Sequence, residues 1–347
     1  MPRPIGYYVH HHGDGHRQRA LAIAEAMGDR IVLLGTGLAG RTGAIRAIDL
    51  PDDRLDRDFD GDDGAESRPQ SLHYAPIDHD GVRRRTAIVA DLIARERAAL
   101  LVVDVSVEMA MLARLAGTAT VYVRLAGLRD DVPHLDAFRG AQALLAPFSS
   151  ALDDPRTAAW VRTKTAYVPG IASIPPAPAQ AGDDVLVVLG TGGSAIDGDA
   201  LADAARETPD RRWRIAGVGA GIGAMSRNPP PNLTLLGWID DVAGEIARAG
   251  VIVGGAGDGV VSAVLAAGKP FVCIPEARPY EEQVGKATRL ASSGAAVVRT
   301  CWPAPGEWAG VLAEASRLDP RRAACLHDPD GPRRAAAFLL AQAERWT

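Results

Sequence analysis

The N-terminal segment holds the densest group of residues that could do chemistry. Residues 10–16 read His-His-His-Gly-Asp-Gly-His and lie directly between a predicted strand and a predicted helix, a place where an expression tag would not lie. Glycines at such a turn let the backbone approach a ligand, and the free N–H groups of the helix start favour an anionic or polar group. Because histidine suits proton transfer near neutral pH, we predict His16 as the catalytic acid–base residue, with Asp14 as the alternative base.

Two glycine-rich loops follow predicted strands in the second half. Residues 190–194 read Gly-Thr-Gly-Gly-Ser, and residues 254–259 read Gly-Gly-Ala-Gly-Asp-Gly and open a predicted helix. Backbone amides of such loops bind phosphate, so two of them in one sheet favour a diphosphate ligand; a pair of tight strand-to-helix turns is the alternative. The residues predicted to contact this ligand are Gly190, Thr191, Gly192, Gly193, Gly257, Asp258 and Gly259.

A third group of polar residues comes after the next predicted strand, within residues 274–287. Ligands of open α/β sheets bind outside the carboxyl ends of the strands. Carboxylates and an amide there can bond to sugar hydroxyls, and an arginine can contact phosphate as a planar fork. A solvated, charged helix start is the alternative, but capping would explain only one or two of the acidic residues. The predicted ligand contacts are Glu276, Arg278, Glu281, Glu282 and Gln283.

Short apolar runs alternate with longer amphipathic segments, which predicts an α/β fold with parallel sheets, and the pattern occurs twice. The predicted strands are 5–9, 30–35, 99–105, 120–125 and 143–147 in the first half, and 184–190, 213–219, 233–238, 250–257, 270–275 and 295–298 in the second. The clearest predicted helices are 16–28, 107–117, 260–268 and 332–346.

A length of 347 residues favours two domains. Proline and alanine cluster between them, which predicts a first domain at 1–168, a linker at 169–184 and a second domain at 185–331. We expect the terminal helix, 332–347, to pack back on the first domain. The acidic segment 51–69 is almost without apolar residues and predicts an exposed, mobile loop that could cover the cleft between the domains.

Composition restricts the functional classes. Apolar residues make up 47% of the chain, which is typical of a soluble globular protein, and the net charge of −5 argues against nucleic acid as the main partner. The three cysteines lack the spacing of a disulfide framework or a zinc site, and no apolar run is long enough to span a membrane. We therefore expect a cytoplasmic protein without a bound metal, and the missing third glycine after Gly15 argues against a hydride cofactor.

These motifs resemble those of the GT-B glycosyltransferases, in particular the MurG-like and monogalactosyldiacylglycerol-synthase-like enzymes, over nearly the whole chain. Residues carrying the resemblance are Gly13, Gly15 and His16 before the first helix, Gly190 to Gly193 and Ala256-Gly257 in the second half, and Glu282-Gln283 followed by Lys286-Ala287. The resemblance implies two Rossmann-like domains facing across a cleft. It also implies an inverting, metal-independent transfer of a sugar from a nucleotide-diphosphate sugar, UDP- or dTDP-linked, to a small or lipid-linked acceptor.

Under this resemblance the first domain binds the acceptor, through Gly13, Gly15, Arg19, Ser106 and Arg124. A lipid-linked acceptor would imply peripheral contact with a membrane. The nucleotide sugar is a co-substrate, so no further cofactor is expected.

The chain departs from the family at two positions. Ala263 stands where the family has its ribose-binding glutamate, so the nucleotide base is left open. Arg124 and Leu125 stand where some members have an acidic residue. Asp104, at the end of a predicted strand, could supply the missing carboxylate as a catalytic residue, although an aspartate there is more often structural.

Two other functions compete with transfer. Residues 15–19, Gly-His-Arg-Gln-Arg, resemble the Gly-His-x-x-Arg motif of nucleotide-sugar hydrolases that share the fold and act in nonulosonic acid synthesis. A catalytically silent nucleotide-sugar-binding protein is the third interpretation, because the ribose carboxylate is missing.

Overall fold

The computed structural model describes residues 2–11, 14–171, 182–190, 196, 198–217, 229–239 and 241–346. Its first domain is a seven-stranded sheet with order β3-β2-β1-β4-β5-β6-β7, in which every strand pairing is parallel. The strands are β1 (Ile5–Tyr8), β2 (Ile31–Gly35), β3 (Ala47–Asp49), β4 (Leu100–Asp104), β5 (Thr120–Val123), β6 (Ala143–Ala146) and β7 (Thr165–Tyr167). The helices are α1 (Asp14–Met27), α2 (Asp80–Glu96), α3 (Val107–Leu115), α4 (Val132–Gly140) and α5 (Ala159–Lys164).

The second domain is a six-stranded parallel sheet with order β10-β9-β8-β11-β12-β13. Its strands are β8 (Val185–Val188), β9 (Trp213–Ala216), β10 (Leu233–Gly237), β11 (Val251–Gly254), β12 (Phe271–Cys273) and β13 (Val297–Val298). Its helices are α6 (Gly198–Glu207), α7 (Val242–Arg248), α8 (Asp258–Ala267), α9 (Glu282–Ser292), α10 (Trp308–Ala315) and α11 (Pro320–Ala324), and α12 (Gly331–Glu344) follows at the end of the chain.

The predicted α/β class with two Rossmann-like domains is confirmed. Every predicted strand is present, and most of these strands are buried along their length and therefore read as unbroken apolar runs; the edge strand β10 is the exception, since most of its residues are exposed or partly buried. The sequence analysis missed β3 and β7, which are short edge strands whose residues are only partly buried. Helix α1 begins at Asp14 rather than at His16, so the predicted catalytic histidine lies in its first turn.

The linker is described in part, and the acidic loop is described in full. Residues 172–181 of the predicted linker lie outside the described residues, and the domain boundary stays a prediction. Most residues of the 51–69 segment are exposed, as predicted, and a single bridge joins Asp62 to Ile77 beyond it. Asp53 anchors the start of the segment through an ion pair with the buried Arg85. No helix in the described ranges has the length and apolarity to span a bilayer.

Helix α12 packs against α1 on the first sheet. Ala335, Leu339 and Ala343 are buried in the same apolar cluster as the α1 residue Ile23. The amide nitrogen of Gln142, beside β6, also donates to the side-chain oxygen of Gln342 at 2.6 Å. The last helix of the chain therefore completes the core of the first domain.

Truncating Leu339 should show this dependence as a loss of stability. Leu339 is fully buried, so Leu339→Ala is expected to lower the free energy of unfolding by about 2–5 kcal/mol through lost burial and a residual cavity. The matched control is Leu115→Ala, because the Leu115 side chain is 88% exposed and its truncation should change stability by less than about 0.5 kcal/mol. Urea unfolding of both variants measures the difference, and equal midpoints would contradict a core role for α12.

Candidate functional site

His16 and Asp104 form the centre of the site. His16 lies in the first turn of α1, which follows β1, and Asp104 is the last residue of β4. Since β1 and β4 are parallel neighbours, their carboxyl ends lie side by side. The His16 Nδ1 atom is 3.0 Å from a carboxylate oxygen of Asp104, whose side chain is 0% exposed. The structure thus brings together two residues that were predicted as catalytic from separate motifs.

Arg19 and Tyr7 hold the Asp104 carboxylate in its ionised form. Arg19 Nη2 lies 3.0 Å from both carboxylate oxygens, and the hydroxyl of Tyr7 donates to one of them at 3.3 Å. Burial alone would raise the pKa of Asp104, but the positive charge of Arg19 and the contact with His16 outweigh it and hold the pKa well below its usual range. Asp104 is therefore a fixed negative charge beside the imidazole.

The carboxylate determines which nitrogen of His16 can act as a base. Arg19 Nη2 also lies 3.0 Å from Nδ1 of His16, but we assign the Nδ1 proton to the bond with Asp104, since an ionised carboxylate is the stronger acceptor. Nε2 is then the basic nitrogen, and it has no hydrogen-bond partner within the described ranges. A histidine held in this way can accept a proton from a substrate.

Asp258, the first residue of α8, lies opposite this group in the second domain. Arg19 Nη1 is 3.9 Å from its carboxylate, and the Lys286 ammonium contacts the same carboxylate from a position that is 1% exposed. Burial alone would raise the pKa of Asp258, but Lys286 and Arg19 keep it below the usual value. An ion-pair network therefore runs from Asp104 through Arg19 to the start of α8 and joins the two domains.

Gln283 joins the two predicted donor segments of the second domain. Its side-chain oxygen accepts hydrogen bonds from the backbone N–H groups of Ala256 and Glu276, both at 3.0 Å. A Cβ atom on Gly255 would lie 2.9 Å from that oxygen, so the glycine allows this close approach. Gln283 thus fixes the loop before α8 against the segment after β12.

The segment before α9 is docked on the first domain. The backbone N–H of Leu128 donates to the carbonyl of Tyr280 at 2.9 Å, and Arg129 pairs with Glu282 at 2.7 Å. The Arg129 guanidinium also lies 4.7 Å from the centre of the Tyr280 ring. Gly127 has a φ of +95°, and a Cβ atom there would lie 2.5 Å from the Tyr280 carbonyl, so only glycine fits at this contact.

Proteins of known structure share this architecture across the whole chain. The glycotransferase of kitacinnamycin superposes with a TM-score of 0.70 at 15% identity, covering 99% of this chain and 100% of that one. MurG of Acinetobacter baumannii has a TM-score of 0.64 at 16% identity, covering 98% and 100%. The structure of LpCGTa in complex with UDP has a TM-score of 0.68 at 15% identity, covering 98% and 99%.

The chain has the GT-B fold. No protein-family model matches the sequence, and no curated protein matches it either. The predicted fold is therefore confirmed by structure alone, at identities too low to carry residue roles from one protein to another.

Within this GT-B fold, Arg124 is occupied by partners of its own domain. Its guanidinium donates to both carboxylate oxygens of Asp153, at 2.9 and 2.7 Å, and to the hydroxyl of Tyr167 at 3.1 Å. Arg124 was predicted to bind the acceptor, and that role stays a prediction. An acceptor would have to displace Asp153 or share the guanidinium with it.

Asp14 and Ser106 also have local partners. Asp14 accepts hydrogen bonds from Arg17 and Gln18. Partial burial alone would raise the pKa of Asp14, but these hydrogen bonds lower it below the ordinary value, so Asp14 is a weak base. The Ser106 hydroxyl caps α3 by accepting from the N–H of Met109 at 3.2 Å. Their predicted catalytic and acceptor-binding roles stay predictions.

Some of the remaining predicted contacts lie outside the described residues. Gly13, Thr191, Gly192 and Gly193 lie outside the described residues. Gly257 is the N-cap of α8, and the positions where Cβ atoms would lie on Gly15, Gly190 and Gly259 have open space around them. Glu276 pairs with Arg278 at 2.5 Å, and Glu281 pairs with Arg156 of the first domain at 2.6 Å.

Four residues near the docked segment were missed by the sequence analysis. Arg129 belongs to no motif, and His73 lies in the long segment before α2, so neither gave a signal. Asp131 and His134 at the start of α4 have the i, i+3 spacing of a capping pair, which could have been noticed. Burial and the neighbouring Arg129 lower the pKa of His134 to about 4, so its imidazole is neutral at physiological pH.

Proposed function

We propose that the chain is a glycosyltransferase that moves a sugar from a nucleotide-diphosphate sugar to an acceptor hydroxyl. One observation carries the proposal: a histidine held by a buried carboxylate lies in the first domain, and its network reaches the start of α8 in the second. Because helix starts favour a diphosphate group, the start of α8 can hold the leaving group, and the base, His16, belongs to the same network. The likeness to glycosyltransferase structures supports the same activity.

The proposed reaction is a single displacement. His16 Nε2 takes the proton of the acceptor hydroxyl while the acceptor oxygen forms a bond to the anomeric carbon. The bond between that carbon and the diphosphate oxygen breaks, and the diphosphate leaves with the electron pair. Attack from the side opposite the leaving group inverts the anomeric carbon, and the N–H groups of α8, together with Lys286, would stabilise the negative charge.

This mechanism needs no metal ion in the chemical step, because protein cations and a helix start replace it. Lys286 and Arg19 both reach Asp258, so a diphosphate arriving at α8 would meet two cations and would share them with the Asp258 carboxylate. Addition of Mg²⁺ or Mn²⁺ should therefore leave turnover unchanged. A strict requirement for either ion would remove this part of the proposal.

The donor is inferred to be UDP- or dTDP-linked. The complex of LpCGTa with UDP supports a uridine nucleotide for this fold. Ala263, at the position of the family's ribose-binding glutamate, is buried in the apolar cluster of the second domain and offers no hydrogen bond to a ribose. We therefore expect the nucleotide to be held chiefly through its diphosphate.

A panel of nucleotide sugars, incubated with and without sugar and small-molecule acceptors, tests the proposal. Release of nucleotide diphosphate that rises at least about tenfold on adding one acceptor is the result expected of a transferase. The anomeric configuration of the product, measured by NMR, should be opposite to that of the donor.

Two other results would replace the proposal. Acceptor-independent cleavage at the sugar–phosphate bond would favour the hydrolase, in which His16 activates water. One observation supports this alternative, since Arg19, the arginine of the Gly-His-x-x-Arg motif, contacts both Asp104 and Asp258. Binding of nucleotide sugars without any turnover would favour a silent binding protein.

A further inference from the structure

A second cluster of ligand-type side chains lies where the docked segment meets the first domain. His73 Nε2 is 2.7 Å from one carboxylate oxygen of Asp131, and His134 Nδ1 is 2.7 Å from the other. The ligand atoms of these three residues all lie within 4.8 Å of one another. None of the three belongs to the His16 group, so they need a separate explanation.

A fourth oxygen comes from the second domain. The hydroxyl of Tyr280 is 3.3 Å from His73 Nε2, and the Tyr280 ring packs edge-on against His134 with 4.8 Å between ring centres. Two imidazole nitrogens, a carboxylate and a further oxygen form the donor set that tetrahedral Zn²⁺ prefers. Ligand atoms of such a site lie about 3.3 Å apart, so the side chains would need to move by little more than an ångström.

The charges around the cluster favour a divalent cation. Asp131 is accompanied by Glu108, whose carboxylate accepts from the backbone N–H of His73 at 2.9 Å, and by Glu282 on the far side of Arg129. Glu282 is already paired with Arg129, so the carboxylates of Asp131 and Glu108 are two negative charges beside His73 and His134 that have no Arg or Lys ion pair in the described part of the structure. A bound divalent ion would balance this excess.

We infer that His73, Asp131 and His134, together with the hydroxyl of Tyr280, form a binding site for one Zn²⁺ ion. Binding replaces the two imidazole–carboxylate hydrogen bonds with nitrogen–metal bonds, and each imidazole stays neutral by carrying its proton on the other nitrogen. For His134 the other nitrogen is Nε2, which lies 3.3 Å from Arg129 Nη1. This contact is long, and Arg129 can lose it while its Nη2 remains bonded to Glu282. Zn²⁺ binding at these side chains does not require that the chain transfers sugars.

The position of the ion suggests a structural role. His73 belongs to the segment between β3 and α2, which has no helix or longer strand and is therefore costly to order. The ion would tie this segment to the start of α4 and to Tyr280 of the second domain. Since a metal that bridges distant parts of a chain stabilises the folded state, Zn²⁺ should raise the melting temperature.

Titration of the full, EDTA-treated and dialysed chain with Co²⁺, followed by visible absorption, tests the site. Co²⁺ replaces Zn²⁺ in tetrahedral sites and gives intense bands there. The intact chain should bind one Co²⁺, and one equivalent of Zn²⁺ should remove the bands. His73→Gln should weaken binding by more than about tenfold without loss of folding, because His73 is only half-buried.

Two matched histidine variants separate this site from the rest of the chain. His79→Asn keeps a side chain that can cap α2 and should bind Co²⁺ like the unaltered chain. Binding that survives His73→Gln but is lost in His11→Gln would place the metal at the N-terminal histidines and overturn the inference. Absence of tetrahedral Co²⁺ bands from the unaltered, folded chain would overturn it as well.

Discussion

Replacing His16 by alanine is expected to lower kcat by about 10²–10⁴-fold, with donor binding unchanged, if the chain transfers sugars as proposed. The variant loses the only imidazole that the described part of the structure places on Asp104, so the acceptor hydroxyl would have to attack with its proton still attached. Steady-state release of nucleotide diphosphate at saturating donor and acceptor measures kcat. The dissociation constant of the nucleotide, from calorimetry, measures donor binding.

Two further variants make this prediction specific. Asp104→Asn should also lower kcat strongly, because an amide oxygen and an amide nitrogen no longer fix the proton on Nδ1 of His16. His79→Asn changes the N-cap of α2, which makes no hydrogen bond or ion pair with His16 or Asp104 in the described part of the structure, and should keep the kcat of the unaltered chain. Turnover of His16→Ala within about twofold of the unaltered chain would show that His16 is not the base.

Strands that are buried along their whole length could be located from the sequence. Strands such as Val185–Val188 are buried at every residue, so their apolar runs stand out between helices. Edge strands such as Ala47–Asp49 are half-exposed and short, and they merge with the loops around them. Helix α2 has three consecutive arginines in its first half, which obscures its apolar face.

The candidate site was predictable as a set of residues but not as an arrangement. His16 was noticeable at the start of a predicted helix and Asp104 at the end of a predicted strand, yet their contact depends on β1 and β4 being neighbours in the sheet. The contact between Arg129 and Glu282 depends further on how the two domains meet, which no local pattern encodes. His73 and Asp131 are 58 residues apart, so their pairing comes from tertiary structure alone.

Removal of Asp153 is expected to give a large loss of stability. Arg124 is 1% exposed, and Asp153→Ala leaves its guanidinium without a carboxylate partner. The Tyr167 hydroxyl also loses the carboxylate oxygen to which it donates. Breaking a buried ion pair from one side costs about 3–5 kcal/mol, since the remaining charge stays desolvated. Urea unfolding at neutral pH, followed by tryptophan fluorescence, measures the change.

The same pair predicts how stability depends on pH. Burial by itself would raise the pKa of Asp153, but hydrogen bonds from Arg124 and Tyr167 hold it below the ordinary value of 3.8. A carboxyl whose pKa is lower in the folded than in the unfolded chain stabilises the fold above the unfolded value, and this contribution is lost as pH falls toward the folded one. The difference in stability between the unaltered chain and Asp153→Ala should therefore shrink below about pH 4.

An exposed ion pair provides the control and decides what Arg124 does. The side chains of Asp136 and Arg139 are 40% and 60% exposed, so Asp136→Ala should change the free energy of unfolding by less than about 1 kcal/mol. If Asp153→Ala proves equally mild but raises the KM of the acceptor, then Arg124 serves the acceptor site and its pairing with Asp153 only positions it. A second outcome is that stability falls as expected while the KM of the acceptor stays constant in the folded variant. The predicted acceptor role of Arg124 is then wrong, because a guanidinium that binds the acceptor would bind it differently after losing Asp153.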